Sequence, residues 1–281
     1  MIYTRLHGRL GNQMFQYAAA AGLAARVGTR VALDTRSAEL RGERVLTRVF
    51  DLPLAEPESL PPARFENLPA YLFWRLTGRP PRFRRERGLQ YNPQIESWGG
   101  ETYLHGYWQS EKYFAHVADA IRRDFRFPDV SNTQNAEMAA RIGTGLSISL
   151  HVRRGDYVTL GAHALCDRAY YEAALAAVLD GLDDDPTVYV FSDDPNWARK
   201  ELPLPCERVI VDFNGPEQDF EDMRLMSLCR HNIIANSSFS WWAAWLNAHA
   251  DKRIAGPRRW FGNPQLRNPD ILPADWITVD A

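Results

Sequence analysis

From Leu146 to Gly256 the chain repeats one device: a short apolar run, a longer stretch with helical spacing, then another apolar run. In "LSISLHVRR" the residues Leu146, Ile148, Leu150 and Val152 alternate, so they share one face of an extended strand, with His151 and Arg153 on the other. "AYYEAALAAVLDGL" then spaces Tyr171, Leu175, Val178 and Leu179 as a helix does. The pattern continues with a strand at Thr187 to Phe191, a short helix from Pro195, and a strand at Arg208 to Val211. A helix around Asp219 to Cys229, a strand at Asn232 to Ala235, a helix through "SWWAAWLNA" and a short strand "RIAG" complete it. Strands alternating with helices imply a parallel sheet wound with right-handed crossovers, which is a Rossmann-like domain.

The first half is less regular. "IYTRL", "GNQMFQYAAAAGLAARVG" and "RVALD" read as a β-α-β unit. Residues 53–100, rich in Pro and Arg, predict loops and short helices. "TYLHGYWQ" predicts a strand, and "SEKYFAHVADAIRRDF" a helix capped by Ser110. The polar "PDVSNTQN" marks a boundary, giving one domain over 1–135 and another over 136–281, with the last twenty or so residues packing back on the first. A chain of 281 residues has room for two such cores.

Net charge narrows the partners. At a formal −2 the chain lacks the basic excess of a general nucleic-acid or membrane-surface binder, so an anion site must be local. Cys166, Cys206 and Cys229 have no Cys-x-x-Cys spacing and read as reduced thiols, which points to the cytoplasm. The N-terminal residues lack the pattern of a secretory signal, and no apolar run reaches membrane-spanning length.

In open α/β sheets ligands bind beyond the carboxyl ends of strands, and three strand ends here are unusually polar. After the first comes "HVRRGDY": Arg153 and Arg154 suit phosphate oxygens because a guanidinium donates two parallel hydrogen bonds. The plainer reading pairs an arginine with Asp156 and leaves His151 in the core. The second end, "FSDDPNW", offers Asp194 as a helix N-cap before Pro195, and Asp193 as an acceptor for a ribose or a guanine ring. The third, "NSSFSWWAAWL", crowds Ser237, Ser238 and Ser240 at a helix entrance that favours an anion; one of them serves as N-cap in any case. Trp241, Trp242 and Trp245 read as core. In the first half "HGRLGNQ" is a glycine-flanked turn in which Asn12 and Gln13 offer amides near Gly8 and Gly11; it is not a P-loop.

Taken in order, "HGRLGNQMFQYA", "GYWQSEKYF", "HVRRGDY", "FSDDPNWA" and "NSSFSWWAAWLN" resemble glycosyltransferase family 11, the α-1,2-fucosyltransferases. The resemblance implies a GT-B fold of two Rossmann-like domains, acceptor-side first and donor-side second, with the active site in the cleft between them. It implies an inverting, metal-independent transfer of fucose from GDP-β-L-fucose to a galactose 2-hydroxyl, with no cofactor. Carried over by position, Arg153 clamps the pyrophosphate, His151 lies near the nucleoside, and Arg154 and Asp156 brace the turn. Ser237, Ser238 and Phe239, with Ser240, match the loop that meets the β-phosphate and the fucose. Asp193 and Asp194 match a donor-side acidic pair. Asn12 sits close to the breaking bond, with Gly11 and Gln13 on the donor side; Trp108, Gln109 and His7 fall on the acceptor side. No motif names the group that takes the acceptor proton; Asp156 and His7 are the candidates. Two alternatives stay open: a GDP-fucose enzyme of another linkage, and a silent nucleotide- or glycan-binding protein. "RLTGRPPRFRRERG", Arg75 to Gly88, carries six arginines and reads either as a solvated loop or as a contact for a lipid-linked O-antigen acceptor or the inner membrane face.

Overall fold

The computed structural model describes residues 1–281 except 58, 131, 156–165, 183, 264 and 281. Contacts divide the chain into one unit of Met1–Pro128 with Pro269–Ile271 and a second of Asp129–Asn268 with Leu272–Ala281.

The first unit is built on a parallel sheet of order β2-β1-β4-β3. Its strands are β1 (Ile2–Arg5), β2 (Val31–Asp34), β3 (Arg82–Arg85) and β4 (Thr102–His105). Between β1 and β2 runs α1 (Leu10–Arg26), an alanine-rich helix buried on most of its surface, which explains its weak amphipathic signal. The short α2 (Arg36–Leu40) follows β2. Within 53–100 the structure adds more order than the sequence predicts. Here α3 (Leu68–Thr77) is capped by Asn67, whose side chain accepts from Ala70 N at 3.0 Å, and ends at left-handed Gly78. The edge strand β3, "RFRR", has no apolar alternation to announce it; it forms because Phe83 packs beside Tyr103, while Arg82 is exposed, Arg84 lies half-buried over the Trp98 ring and Arg85 lines a cavity. The helix expected over 110–125 is broken instead into two 3-10 turns and α4 (Ala118–Asp124), with Ser110 capping the first turn.

The second unit is the doubly wound domain expected. Helix α5 (Thr133–Ile142) opens it, so the boundary falls before that helix and not at 135/136, which would cut it. The strands are β5 (Ser147–Val152), β6 (Thr187–Ser192), β7 (Glu207–Val211), β8 (His231–Ile233), β9 (Ile254–Pro257) and β10 (Ile277–Val279). All are parallel, in the order β10-β9-β8-β5-β6-β7. Helices α6 (Arg168–Leu179), α7 (Pro195–Glu201), α8 (Asp219–Leu228) and α9 (Ser238–Leu246) provide the crossovers. Helices cover both faces of the central strand, so β5 is buried along its whole length, including Ser147, Ser149 and His151 on the supposed polar face. Of the last twenty residues only 269–271 group with the first unit; β10 extends the second sheet.

Candidate active site

Counted within its own unit, the second sheet has the 3-2-1-4-5-6 order of a dinucleotide-binding fold, and the order reverses between β5 and β8. Outside the carboxyl ends at such a reversal lies the crevice where ligands sit in folds of this kind. There β5 delivers His151, Arg153 and Arg154, β8 leads into Ser237 and α9, and β6 adds Asp193 from beside β5.

Asp193 organises the arginines. Its Oδ1 accepts from the Arg154 backbone N–H at 2.8 Å, and its Oδ2 lies 2.9 Å from Arg153 Nη1. A Cβ on Gly155 would stand 2.7 Å from that same Oδ2, so the close approach of the carboxylate needs glycine. Both oxygens are engaged by the arginine turn, so Asp193 orients Arg153 and Arg154. Arg154 lies over the Trp197 ring, 4.3 Å from its centre, and its Nε is 3.8 Å from Asp194 Oδ2, beyond hydrogen-bond range. Asp194 is the N-cap of α7: its Oδ1 accepts from Trp197 N at 3.0 Å, with Pro195 in the first turn.

His151 is 5% exposed and its ring centre lies 5.7 Å from that of Phe239. Burial first, and the Arg153 charge second, pull its pKa down to about 4, against an opposing pull from Asp193. The imidazole is therefore neutral at pH 7, and its buried Nδ1 has no hydrogen-bond partner among the described residues. At the third strand end Ser237 caps α9, accepting from Phe239 N at 3.3 Å. Ser240, by contrast, is buried and donates to the Ser237 carbonyl at 3.3 Å, so its hydroxyl does not face a ligand. Ser238 and Phe239 are half-buried at the helix entrance, where first-turn N–H groups and the dipole favour an anion. Trp241 and Trp242 are fully buried core. Asp156 lies outside the described residues.

In the first unit the strand order reverses between β1 and β4. Gly8 at φ 81° turns the chain from β1 toward α1, and a Cβ there would come 2.7 Å from Asn12 Nδ2. Asn12 Oδ1 accepts from Gln109 Nε2 at 2.9 Å, so these two expected residues do meet. Gln13 has another duty: fully buried, it donates to the carbonyls of Gly8 and Arg44 at 2.8 Å each and accepts from Leu46 N at 3.0 Å. That amide ties down the 44–46 loop with both of its N–H donors used and its oxygen on Leu46 N, away from solvent, and Gly11 is buried beside it in α1. Trp108, expected at the acceptor, is also fully buried, its ring edge-on to those of Trp98 and Tyr113.

His7 sits against Tyr107 and His105, ring centres at 4.7 and 5.9 Å. Gln16, buried and unforeseen in the sequence, accepts from His7 N and donates to His7 O, both at 3.0 Å, and lies 3.2 Å from His7 Nδ1. With Nδ1 accepting from that amide, the neutral ring carries its proton on Nε2. Burial and the charges of Arg5 and Arg41 lower its pKa to about 4. His7 is thus a donor at Nε2 and a poor candidate for taking a proton. Glu86, also unforeseen, accepts from Tyr107 N at 2.6 Å and Trp108 N at 3.0 Å, and burial raises its pKa to about 7 in spite of both donors. Among the described residues no group of three His, Cys, Asp or Glu side chains could hold a metal ion, and no helix is long and apolar enough to cross a membrane.

Comparison with known proteins adds the following. The profile of glycosyl transferase family 11 matches residues 94–280. An alpha-1,2-colitosyltransferase of Escherichia coli is 31% identical over 298 aligned positions, covering 100% of this chain and 99% of that protein. The galactoside alpha-(1,2)-fucosyltransferase 1 of Rattus norvegicus is 28% identical over 85% of this chain, which spans only 61% of that longer protein. Among solved structures, Arabidopsis thaliana FUT1 in complex with GDP superposes with a TM-score of 0.52 at 12% identity, over 98% of this chain and 75% of that one. NodZ alpha-1,6-fucosyltransferase soaked with GDP-fucose gives 0.53 at 15% identity, over 87% and 91%. These likenesses show the GT-B fold.

Proposed function

The chain belongs to glycosyl transferase family 11 and is a glycosyltransferase, and on that premise we propose that it moves L-fucose from GDP-β-L-fucose to the 2-hydroxyl of a terminal galactose, with inversion. The observation that carries the donor half of this reading is the arginine turn at the strand-order reversal: Arg153, oriented by Asp193, beside the entrance of α9. As the bond from sugar C1 to phosphate lengthens, the sugar gains oxocarbenium character and negative charge gathers on the departing GDP. A fixed guanidinium and the N-terminal N–H groups of α9 stabilise that charge more in the transition state than in the ground state, which is the condition for catalysis. The transfer needs no metal in this reading, because fixed cations and dipoles supply the positive charge. Neutral His151 contributes no charge and offers a ring edge near the nucleoside.

The galactose acceptor and the 1,2 linkage are supported by the rat relative's name, and the linkage also by that of the Escherichia coli relative. A second reading comes from the same bacterial protein, matched along its entire length: the donor sugar is colitose, which is L-fucose without its 3-hydroxyl. Incubation with GDP-fucose or GDP-colitose and lactose, with and without EDTA, tests all of this. Fucosyllactose linked at O2 and insensitive to EDTA is the expected product. Transfer from GDP-colitose alone replaces the donor, another linkage replaces the acceptor position, and GDP binding with no turnover on any acceptor overturns the enzymatic reading.

Peripheral attachment to an anionic membrane belongs to the same proposal. The outer face of α3 leaves Leu72 44%, Phe73 54% and Leu76 85% exposed, beside the arginines of 75–87. Apolar side chains on a short helix flanked by cations fit a lipid headgroup boundary. Sedimentation with anionic vesicles should fall when Phe73 and Leu76 are both changed to Ser and when Arg82, Arg84 and Arg85 are changed to Ala; binding that survives both removes the attachment.

A further inference from the structure

The first unit contains a cavity of about 490 Å³ at the carboxyl edge of its sheet, within the size range of small-molecule sites. Register explains why it is cationic. Tyr3, Tyr103 and Phe83 are aligned neighbours on β1, β4 and β3, and Tyr71 and Trp74 of α3 pack on that aromatic row. Two residues further along each strand the same face presents Arg5, His105 and Arg85. Arg41, Arg64 and Arg75 complete the ring of charge from the flanking segments.

What sets this cluster apart is its lack of counter-charge. Among the described residues Arg5, Arg64, Arg75 and Arg85 make no ion pair. Arg5 donates from Nε to Ser37 Oγ at 2.7 Å, and Arg75 lies over the Phe83 ring at 4.4 Å. Arg41 has only a 4.0 Å approach to Glu43. The neighbouring acid Asp34 is already neutralised, accepting from Arg36 Nη2 at 2.8 Å and from the Tyr103 hydroxyl at 2.6 Å. His105 registers the resulting field: burial first, then Arg5, His7, Arg85 and Arg75, lower its pKa to about 3. Five guanidinium groups converging on one aromatic-floored cavity, with no carboxylate among its lining residues, present the paired donors and the field that an anionic group would meet. The arginine-rich composition of the chain explains the residue type but not this convergence.

We propose that the cavity binds an anionic group on the acceptor, so that an acidic or diphosphate-linked galactoside is used in preference to a neutral one such as lactose. The inference rests on the glycosyltransferase reading for its place in the reaction, but the site is defined by binding alone. Carboxylate and diphosphate share the chemistry that guanidinium groups recognise in paired hydrogen bonds, and the test separates them.

Two matched acceptor pairs decide it, each measured by calorimetry in the presence of GDP and by kcat/KM with the donor. One pair is a galactosyl-glucuronic acid and its primary amide; the other is a galactoside on an alkyl diphosphate and the same galactoside on a neutral alkyl chain. The charged member of at least one pair should be preferred about ten- to a hundredfold, a preference that shrinks with salt. Preference for the carboxylate identifies an acidic glycan, and preference for the diphosphate alone identifies a lipid-linked acceptor. The exposed Arg64→Ala/Arg85→Ala double variant should cut the preferred ratio about tenfold. Equal binding of charged and neutral members in both pairs, or a ratio unmoved in the double variant, overturns the proposal. GDP affinity, read in the same calorimeter, reports separately on the donor reading, and the binding ratio decides the cavity's role even where no sugar is transferred.

Discussion

Both units carry arginines at the carboxyl edge of a parallel sheet, yet the two sets are held in opposite ways. In the second unit Arg153 is 2.9 Å from Asp193, and Arg154 is wedged over Trp197 with Asp194 nearby. In the first unit Arg5, Arg64, Arg75 and Arg85 form no ion pair among the described residues; Arg5 meets a hydroxyl and Arg75 an aromatic ring. A carboxylate partner gives up some charge for direction, which suits a group that must meet one phosphate in a transition state. Unpaired guanidinium groups give up direction for field strength, which suits capture of a ligand that brings its own charge. The difference teaches that arginine number says little, and that the distribution of counter-charge separates an aimed cation from an attracting one.

The largest break in this comparison should come from Arg153→Ala, which removes the aimed cation. Turnover should fall about 10²–10³-fold, by analogy with losing an oxyanion donor, while folding, followed by circular dichroism, stays intact. Near-normal kcat in the purified variant would show that Arg153 does not meet the leaving group. Asp193→Asn sharpens the contrast, because it keeps the arginine and removes its direction: an amide nitrogen would face Arg153 Nη1, donor against donor. The expected loss is about ten- to a hundredfold in kcat, with GDP affinity changed far less. An equal loss in both would mark Asp193 as a binding group instead of a positioning one. Gly155→Ala should act through the same carboxylate, since the added methyl would meet Asp193 Oδ2 at 2.7 Å. Its effect should be smaller and should largely vanish in the Asp193→Asn background, the non-additivity expected of two changes to one contact.

Much of the second unit is legible in the sequence, because each buried strand is a short apolar run between amphipathic helices. The polar residues that remain stand out at strand ends, which is how Arg153, Asp193 and Ser237 are found. The first unit hides its site for a physical reason: β3 reads "RFRR", a strand with one apolar residue, stabilised by a neighbour's aromatic ring that local pattern cannot reveal. Without β3 in place, Arg85 and His105 do not align and the cavity does not exist. Residue type also misled at several positions. Gln13 and Trp108 look like ligand contacts, yet burial assigns one to backbone carbonyls and the other to an aromatic core. The amide of Gln16 and the carboxylate of Glu86 fix the loops around His7 and Tyr107, but neither lies in a motif with a local signature.

The smallest effect probes the attracting set without any ligand. His105 is aligned with Arg85, and both line the cavity. Arg85→Ala removes one positive neighbour, so the protonated imidazole becomes less unfavourable and the pKa must rise from about 3. Burial is the largest cause of the depression and is unchanged by this substitution, while Arg5, His7 and Arg75 still contribute. The value should therefore move upward but stay short of the ordinary 6.5, as a histidine ring-proton titration by NMR can follow. Because Arg85 is exposed, added salt should shift the wild-type value in the same direction and narrow the gap between the two proteins. A titration identical in both at low salt would mean that the cavity's guanidinium groups do not share one field, and the contrast between aimed and attracting arginines would lose its second half.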